Sequence, residues 1–381
     1  MTRFRRSMYA ILAVLAFAWL AGCSDSSSSN STSGSASGHT GDAFVYVASK
    51  GSDSISAFAN DNSGALTPLA GSPFPSPNDV LWMAATRNGN FLYAASYKHN
   101  LVSGFSIDAA SGVLKPLSCS SIATTGPQPS MITIAPSDKF LYTVNGGDSK
   151  TGQGEGITVF SIDSTGCLTF LQTIASTSLP REAAVERNGH FLYLTVKRGV
   201  DAYLISSDGR LTFQDAPAFD NFYDFLAAIA ADPAADLLFV VDGNHAFSMV
   251  HVLTVDPATG ALTQIADSPF GTDGGMAGAI AIDSQGAYVF VLNGAGLDPT
   301  AESVLSSQSV DSSGALNPVS SIAGEQGVTA FAVDPSGKFA YVGYIQTVNI
   351  VNAFTVNLGV LKQTGTTNTL PPSSIIVVRR P

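Results

Sequence analysis

The tripeptide Pro180-Arg181-Glu182 places a cation and a carboxylate side by side. An arginine can hold a phosphate or carboxylate through paired hydrogen bonds, and a glutamate can act as a general base on water. Arg181 and Glu182 are therefore candidate catalytic residues for hydrolysis of an anionic substrate. Because Arg181 is expected to lower the pKa of Glu182 and weaken it as a base, a plain surface ion pair is the alternative.

Other polar side chains in loops between predicted strands could bind a ligand. These candidates are Asp79, Tyr97, His99, Asp148, Asp224, His245 and Glu325. The five histidines are scattered and no His-Glu-x-x-His motif occurs, so we expect no metal site and no cofactor. The glycine-rich loop 145–156 follows a strand but opens no helix, which argues against a phosphate loop.

The predicted strands that flank these loops recur along the chain. A tetrapeptide resembling Phe-Leu-Tyr-Val occurs seven times, starting at Phe44, Phe91, Phe140, Phe191, Leu237, Tyr288 and Phe339. Each repeat also contains short runs rich in Val, Ile, Phe, Tyr and Thr, separated by Gly, Asp, Ser and Pro turns. This pattern predicts four strands per repeat. The near-constant spacing of about 50 residues predicts one supersecondary unit repeated seven times.

Seven units of four antiparallel strands predict an all-β, seven-bladed β-propeller over residues 42–381. A linear β-solenoid is the alternative, but it would need capping repeats and the sequence shows none. The first unit lacks an inner strand, and the C-terminal run 374–378 has the composition of that strand. We therefore expect residues 374–378 to join the N-terminal blade and close the ring.

In a closed propeller, the loops before the inner strands share one face with the loops between second and third strands. This face holds the mouth of the axial channel, and we expect all the candidate residues to gather there.

The N-terminal segment has the pattern of an export signal. Residues 1–22 combine a basic start with an apolar stretch that is too short to span a bilayer. The sequence Leu20-Ala21-Gly22-Cys23 resembles a bacterial lipobox, which implies cleavage before Cys23 and lipidation of that residue. An ordinary signal peptide is the alternative. Residues 23–41 are rich in Ser, Thr and Gly and predict a flexible tether.

We therefore expect an exported lipoprotein anchored to a bacterial membrane, with the outer membrane favoured and the propeller facing the periplasm or the surface. The chain carries 18 basic and 29 acidic side chains. This balance argues against nucleic acid as a partner, because phosphate backbones need a basic surface. We expect a monomer that binds a small carbohydrate-like ligand or an envelope protein.

Two cysteines follow the export signal, and an oxidising compartment would permit a disulfide between them. However, Cys119 and Cys167 are predicted to lie on the outer strands of successive blades. We therefore expect their Cα atoms to be too far apart to bridge.

Some repeat units resemble those of a known family. The segments Ala135–Tyr142 and Val333–Val342, together with the run Tyr97–Leu114, are similar to the seven-bladed propeller lactonases, which include a bacterial type of 6-phosphogluconolactonase. The resemblance covers residues 42–381. It implies a seven-bladed propeller and lactone hydrolysis at the axial mouth.

The site residues of the family match this chain only in part. The family typically carries Pro-Arg-His before one inner strand, and here Pro180-Arg181 is followed by Glu182. Lys197 lies near the position of a family Glu, and Gln128-Pro129-Ser130 replaces a His-rich segment. Asp242-Gly243-Asn244 stands in place of Asn-Arg-Gly.

Two functions follow from these observations. The first interpretation is a membrane-anchored propeller that binds a small ligand or partner at the axial mouth without the full catalytic set of the family. The alternative is an active lactonase that hydrolyses a sugar lactone, similar to 6-phosphogluconolactonase.

Overall fold

The computed structural model describes residues 42–49, 51–77, 79–147, 154–197, 199–214, 219–220, 226–243, 248–294, 302–345 and 349–380. The predicted signal peptide and tether lie outside these residues. Within them, no helix has the length and apolar character needed to cross a membrane.

The described chain forms 31 strands in seven sheets. In chain order, the strands from the first to the third blade are β1 (Ala43–Ser49), β2 (Ser54–Asn60), β3 (Leu66–Pro68), β4 (Phe74–Pro75), β5 (Val80–Ala85), β6 (Phe91–Ser96), β7 (Leu101–Ile107), β8 (Leu114–Ala123), β9 (Pro129–Ile134), β10 (Phe140–Gly146), β11 (Glu155–Ile162) and β12 (Leu168–Ala175). The fourth and fifth blades contain β13 (Ala183–Val185), β14 (Phe191–Val196), β15 (Gly199–Ile205), β16 (Leu211–Phe213), β17 (Phe219–Asp220), β18 (Leu226–Ala231), β19 (Leu237–Asp242), β20 (Met249–Val255), β21 (Leu262–Gln264) and β22 (Phe270–Gly271). The sixth and seventh blades contain β23 (Ala279–Ile282), β24 (Tyr288–Asn293), β25 (Val304–Val310), β26 (Leu316–Ala323), β27 (Val328–Val333), β28 (Phe339–Tyr344), β29 (Ile350–Asn357) and β30 (Val360–Asn368), and the last strand is β31 (Pro372–Arg379).

Each sheet is one antiparallel blade of four strand positions, and the seven blades close into a ring. In blades 1, 4 and 5 the outer position is divided between two short strands. The inner strands contact one another in the circular order β31, β5, β9, β13, β18, β23, β27 and back to β31. The predicted seven-bladed propeller is therefore confirmed.

The ring closes as the sequence predicted. Strand β31 pairs antiparallel with β1, so that Ile375 lies opposite Val47 and Val378 lies opposite Phe44. Residues 374–378 thus supply the inner strand of the first blade.

The hydrophobic core lies between the blades. The buried apolar residues form seven clusters, one at each junction between neighbouring blades. Successive side chains on a strand point to opposite faces of the sheet. Phe44 and Tyr46 therefore pack towards the second blade, whereas Val45 and Val47 pack towards the seventh.

The repeated tetrapeptide also forms a latch between blades on the face opposite the mouth. Its third residue is a buried tyrosine in four successive blades, and each hydroxyl donates to a glycine carbonyl in a turn of the next blade: Tyr46 to Gly112 (2.7 Å), Tyr93 to Gly166 (2.8 Å), Tyr142 to Gly209 (3.3 Å) and Tyr193 to Gly260 (2.9 Å). The first residue, a phenylalanine, packs where a glycine Cβ would be; at Gly260 that Cβ would lie 2.5 Å from the ring of Phe191. The repeat is therefore a set of matched tyrosine, phenylalanine and glycine positions.

The expectation for the cysteines is wrong, since Cys119 and Cys167 form a disulfide with a Cα–Cα distance of 5.9 Å. Cys119 lies in the outer strand β8, and Cys167 directly follows Gly166. The bond from Tyr93 to the Gly166 carbonyl draws that turn of the third blade against the second. The latch therefore brings the two cysteines within bridging distance.

Candidate functional site

In five of the seven blades the inner strand contains a β-bulge close to the mouth of the channel. At this point two residues of the inner strand lie opposite one residue of the second strand. In blade 4 the amide of Arg181 donates to the carbonyl of Thr195, and the amide of Thr195 donates to the carbonyl of Glu182. The predicted catalytic pair therefore lies directly before β13, where both residues face Thr195 as the two bulge residues face one partner in the other blades. Bulges commonly redirect side chains next to functional sites.

The two residues at this place in each of the seven blades form two rings of equivalent positions, which we call the bulge rings. The first ring consists of residues that are half-buried or exposed: Leu81, Ser130, Arg181, Ala227, Gly278, Thr329 and Ser373. The second ring consists of residues that are buried or half-buried: Trp82, Met131, Glu182, Ala228, Ala279, Ala330 and Ser374. All fourteen positions are described, and only Arg181 and Glu182 among them are charged. Blade 4 thus gives the channel wall its single pair of opposite charges at this level.

Second-ring side chains reach the edge of the next inner strand. An oxygen of Glu182 accepts a hydrogen bond from the amide of Ile229 at 3.4 Å. At equivalent positions, the amide of Met83 donates to Ser374 Oγ at 3.1 Å, and the amide of Ala183 lies 3.2 Å from the sulfur of Met131. The carboxylate is thus held between the inner strands of blades 4 and 5.

The environment of Glu182 changes its acidity in the direction opposite to the sequence-based expectation. Burial raises its pKa to about 8, because desolvation outweighs the lowering effects of the Ile229 hydrogen bond and of Arg181. The same desolvation lowers the pKa of Arg181, although Glu182 opposes the change. The expectation that Arg181 would leave Glu182 a weak base is therefore wrong.

Three of the predicted ligand-binding residues lie together on the loops of blade 2. The carboxylate of Asp79 is buried and pairs with Lys98, at 2.6 Å between Oδ2 and Nζ. The hydroxyl of Tyr97 donates to Gln128 Oε1 at 2.7 Å, which ties this loop to blade 3. His99 Nδ1 lies 3.1 Å from Ser96 Oγ.

Of the remaining predicted residues, only Glu325 belongs to the described part of the chain. Glu325 precedes the inner strand of blade 7, where one carboxylate oxygen lies 3.4 Å from Asn352 Nδ2. Asp148, Asp224 and His245 lie outside the described residues, as does Cys23. The topology thus places Asp79, Tyr97, His99 and Glu325 on the same face as Arg181 and Glu182, but on other blades.

Sequence reasoning located the charged pair but missed the bulge that presents it. A partial signal was present, because Pro129-Ser130 and Pro372-Ser373 begin equivalent inner strands, and each serine is the first bulge residue. The shared Pro-Ser dipeptide indicated equivalent positions in the two blades, but it did not indicate that each inner strand contains one extra residue there.

The family of the chain follows from comparison with known sequences. The sequence model of the family described as lactonase, seven-bladed β-propeller, matches residues 24–127 and 118–217, which together make up about half of the chain. The chain therefore belongs to the lactonase family of seven-bladed β-propellers.

Solved structures share the fold. A candidate 6-phosphogluconolactonase from Bacteroides uniformis ATCC 8492 is 15% identical, with a TM-score of 0.72 over 88% of this chain and 99% of that one. A second, from Bacteroides fragilis NCTC 9343, is 18% identical, with a TM-score of 0.71 over 88% and 98%. The periplasmic gluconolactonase PpgL of Pseudomonas aeruginosa is 17% identical, with a TM-score of 0.70 over 89% and 99%. No curated protein matches the chain.

Proposed function

We propose that this chain hydrolyses a sugar lactone at the channel mouth, with Arg181 and Glu182 as its catalytic residues. The observation that carries the proposal is the pairing of an exposed arginine with a carboxyl group whose pKa is raised to about 8. A carboxylate with a pKa near the working pH is a stronger base than an ordinary glutamate. Strongly shifted carboxyl groups in clefts are also more frequent at functional sites than elsewhere.

The chemistry assigns each residue a separate role. Glu182 accepts a proton from a water molecule, whose oxygen forms a bond with the lactone carbonyl carbon. The resulting tetrahedral intermediate breaks the bond from this carbon to the ring oxygen, and Glu182 returns the proton to that oxygen. Arg181 binds the carbonyl oxygen as it becomes negative, or an anionic substituent of the substrate. The product is the open-chain hydroxy acid.

An aldonolactone, with or without a phosphate, is the substrate class that best fits these roles. The similar structures from Bacteroides uniformis and Pseudomonas aeruginosa carry the names of gluconolactone hydrolases. Tyr97 and His99 on the mouth face could contact sugar hydroxyls.

A binding protein without hydrolytic activity is the second candidate function. It is favoured by the composition of the two bulge rings, because Glu182 has no second carboxyl or imidazole group among the other twelve positions. In that case Arg181 would hold a carbohydrate-like ligand or an envelope protein at the same mouth.

The proposed site of action is the cell envelope, with the propeller anchored through lipid on Cys23. The disulfide between Cys119 and Cys167 supports export, because such bonds persist in oxidising compartments and are rare in the cytosol. Radiolabelled palmitate should be incorporated into the wild-type chain and not into the Cys23→Ala variant. Incorporation into both chains, or into neither, would contradict lipidation at this residue.

Hydrolysis is tested with the purified chain on glucono-1,5-lactone and its 6-phosphate in a pH-stat, with the spontaneous rate subtracted. We expect turnover by the wild type and a loss of at least about 100-fold in kcat/KM for Arg181→Ala. Thr329→Ala, at the equivalent bulge position of blade 7, is the matched control and should keep the wild-type rate. Spontaneous rates across the panel, with binding of the hydroxy acid by calorimetry, would support the second candidate instead.

A further inference from the structure

The third strands of all seven blades contain a buried polar residue at one shared register position. This position lies opposite the fourth residue of the repeated tetrapeptide. Its occupants are Ser56, Ser103, Thr158, Asp201, His251, Ser306 and Asn352. None is more than 6% exposed, although most neighbouring positions of these strands are apolar. We name these seven residues the buried polar ring.

In three blades the polar ring residue contacts the loop that leads into the inner strand of the same blade. Thr158 Oγ1 lies 3.4 Å from Thr125 Oγ1 in blade 3, and Asn352 Nδ2 lies 3.4 Å from Glu325 Oε1 in blade 7. In blade 4, Asp201 Oδ2 accepts hydrogen bonds from Thr177, at 2.7 Å from the hydroxyl and 3.2 Å from the amide. In these three blades the position therefore contacts a loop of the mouth.

Blade 4 differs from the other blades in two ways. Asp201 is the only carboxylate in the buried polar ring, and hydrogen bonds to a charged acceptor are stronger than those between neutral groups. The loop that it holds, residues 176–180, leads directly into Arg181 and Glu182. The loop has a second anchor, in which the amide of Lys197 donates a hydrogen bond to Ser178 Oγ at 3.2 Å.

We infer that Asp201 is a positioning residue, which fixes the 176–180 loop through Thr177 and thereby holds Arg181 and Glu182 in their places on the channel wall. Asp201 acts through the loop and does not touch the substrate. The kinetic consequence rests on the proposed function, whereas the placement of Glu182 does not depend on it.

Removing the carboxylate should therefore loosen the catalytic pair without removing either member. We expect Asp201→Ala to lower kcat/KM on the lactone about 10- to 100-fold, because a displacement of about 1 Å is enough for such a loss. Thr177→Val deletes one of the two bonds and should cost less. Asp201→Asn keeps an acceptor oxygen for Thr177 and should remain within about threefold of the wild type. The Asp201→Ala/Thr177→Val double variant should be no worse than Asp201→Ala alone.

Ser306→Ala is the matched control, because Ser306 occupies the same register position in blade 6 and its blade does not carry the charged pair. Both alanine variants lose a buried polar group, so a general loss of stability would affect them alike. Wild-type kinetics for Ser306→Ala, with reduced kcat/KM for Asp201→Ala, would support positioning. Equal losses in both variants would overturn it.

A second measurement is independent of turnover. The chain contains five glutamates, so a carbon-13 NMR titration of glutamate-labelled full-length chain can follow each carboxyl, with Glu182→Gln identifying the signal. In Asp201→Ala the pKa of Glu182 should fall from about 8 towards its ordinary value, since a looser loop admits water to the carboxylate. It should not move in Ser306→Ala. An unchanged Glu182 titration in Asp201→Ala would overturn the inference.

The two experiments separate the two proposals. A chain without lactone turnover, in which Asp201→Ala still shifts the Glu182 titration, would reject hydrolysis and retain positioning. If Asp201→Ala does not fold, Thr177→Val provides the same test, because it removes the exposed donor of the hydrogen bond to Asp201. An unchanged Glu182 titration in Thr177→Val would then overturn the inference.

Discussion

The turns of the opposite face and the bulges of the mouth both recur around the ring, but they hold different features constant. The latches repeat side-chain types, with a phenylalanine ring and a tyrosine hydroxyl placed against a glycine turn. The bulges repeat a backbone geometry, while their side chains differ from blade to blade. The end of each blade opposite the mouth thus joins neighbouring blades, whereas the side chains at the mouth end differ from blade to blade.

This difference indicates where specialised chemistry can arise in a repeat protein. A substitution in a latch breaks a contact between two blades, so its effect is on stability. A substitution in the first bulge ring changes a side chain that faces the channel and leaves the strand pairing in place. Arg181 and Glu182 are charged residues at positions where the other blades carry apolar or hydroxyl side chains, and the backbone around them matches theirs.

The largest effect is expected at the mouth, where Glu182→Gln removes the base and keeps its shape. We predict a loss of about 100- to 10,000-fold in kcat for lactone hydrolysis. In the wild type, the rate above the spontaneous reaction should rise with pH to a plateau above about 8, because the active form of Glu182 is the deprotonated one. A pH-stat profile from pH 6 to 9 checks both points. A wild-type profile with no inflection near 8 would contradict the role of Glu182.

At the other end of the blade, Gly260→Ala should destabilise the fold with little effect on the site. The new Cβ would lie 2.5 Å from the ring of Phe191, and Gly260 has a φ of +73° that strains any other residue. We expect a loss of about 3 kcal/mol in the free energy of unfolding, measured by urea denaturation. Gly51→Ala is the control, because Gly51 has a φ of +78° with nothing within 4 Å of its Cβ, and should lose only about 1 kcal/mol. Equal losses would show that the contact with Phe191 is unimportant.

These two ends also differ in how much of them the sequence could reveal. The spacing of Phe44, Phe91 and the later copies predicted the blades, and the composition of residues 374–378 predicted ring closure, because both depend on local pattern. The disulfide escaped prediction because the distance between Cys119 and Cys167 depends on a latch between two blades. The raised pKa of Glu182 escaped for a similar reason, since burial by neighbouring inner strands exceeds the effect of the adjacent Arg181.

Asp201 shows a further limit of sequence reasoning. Its strand, Gly199–Ile205, is otherwise largely apolar, and the carboxylate at its third position is visible in the sequence. Equivalent positions in the other blades carry Ser, Thr, His or Asn, so residue identity alone gives no repeat to follow. The buried polar ring emerges only when strand register is known.

The burial of Glu182 should also make stability depend on pH at the mouth. Its folded pKa of about 8 lies above the ordinary value of 4.5, so the native state binds this proton more tightly than the unfolded state. The contribution of Glu182 is fully present below pH 4.5 and is lost as pH rises to about 8. Glu182→Gln lacks this loss, so it should gain up to about 4 kcal/mol relative to the wild type between pH 4.5 and pH 9. Urea unfolding at the two pH values measures the gain, and an equal difference at both would contradict the raised pKa.

The last two variants change the hydrogen bonding of two latches within the ring, and we expect small changes in stability from them. Tyr193 donates to Gly260 across the junction of blades 4 and 5, whereas the next junction has Phe239 at the same position, which has no hydroxyl for the Gly314 turn. Tyr193→Phe deletes one hydrogen bond and strands a buried carbonyl, which should cost about 1 kcal/mol. Phe239→Tyr supplies the missing hydroxyl and should be neutral or stabilising by up to about 1 kcal/mol, if the Gly314 carbonyl accepts it. Urea unfolding of both variants measures these changes. Destabilisation by Phe239→Tyr as large as that by Tyr193→Phe would mean that the fifth junction has a different geometry from the fourth.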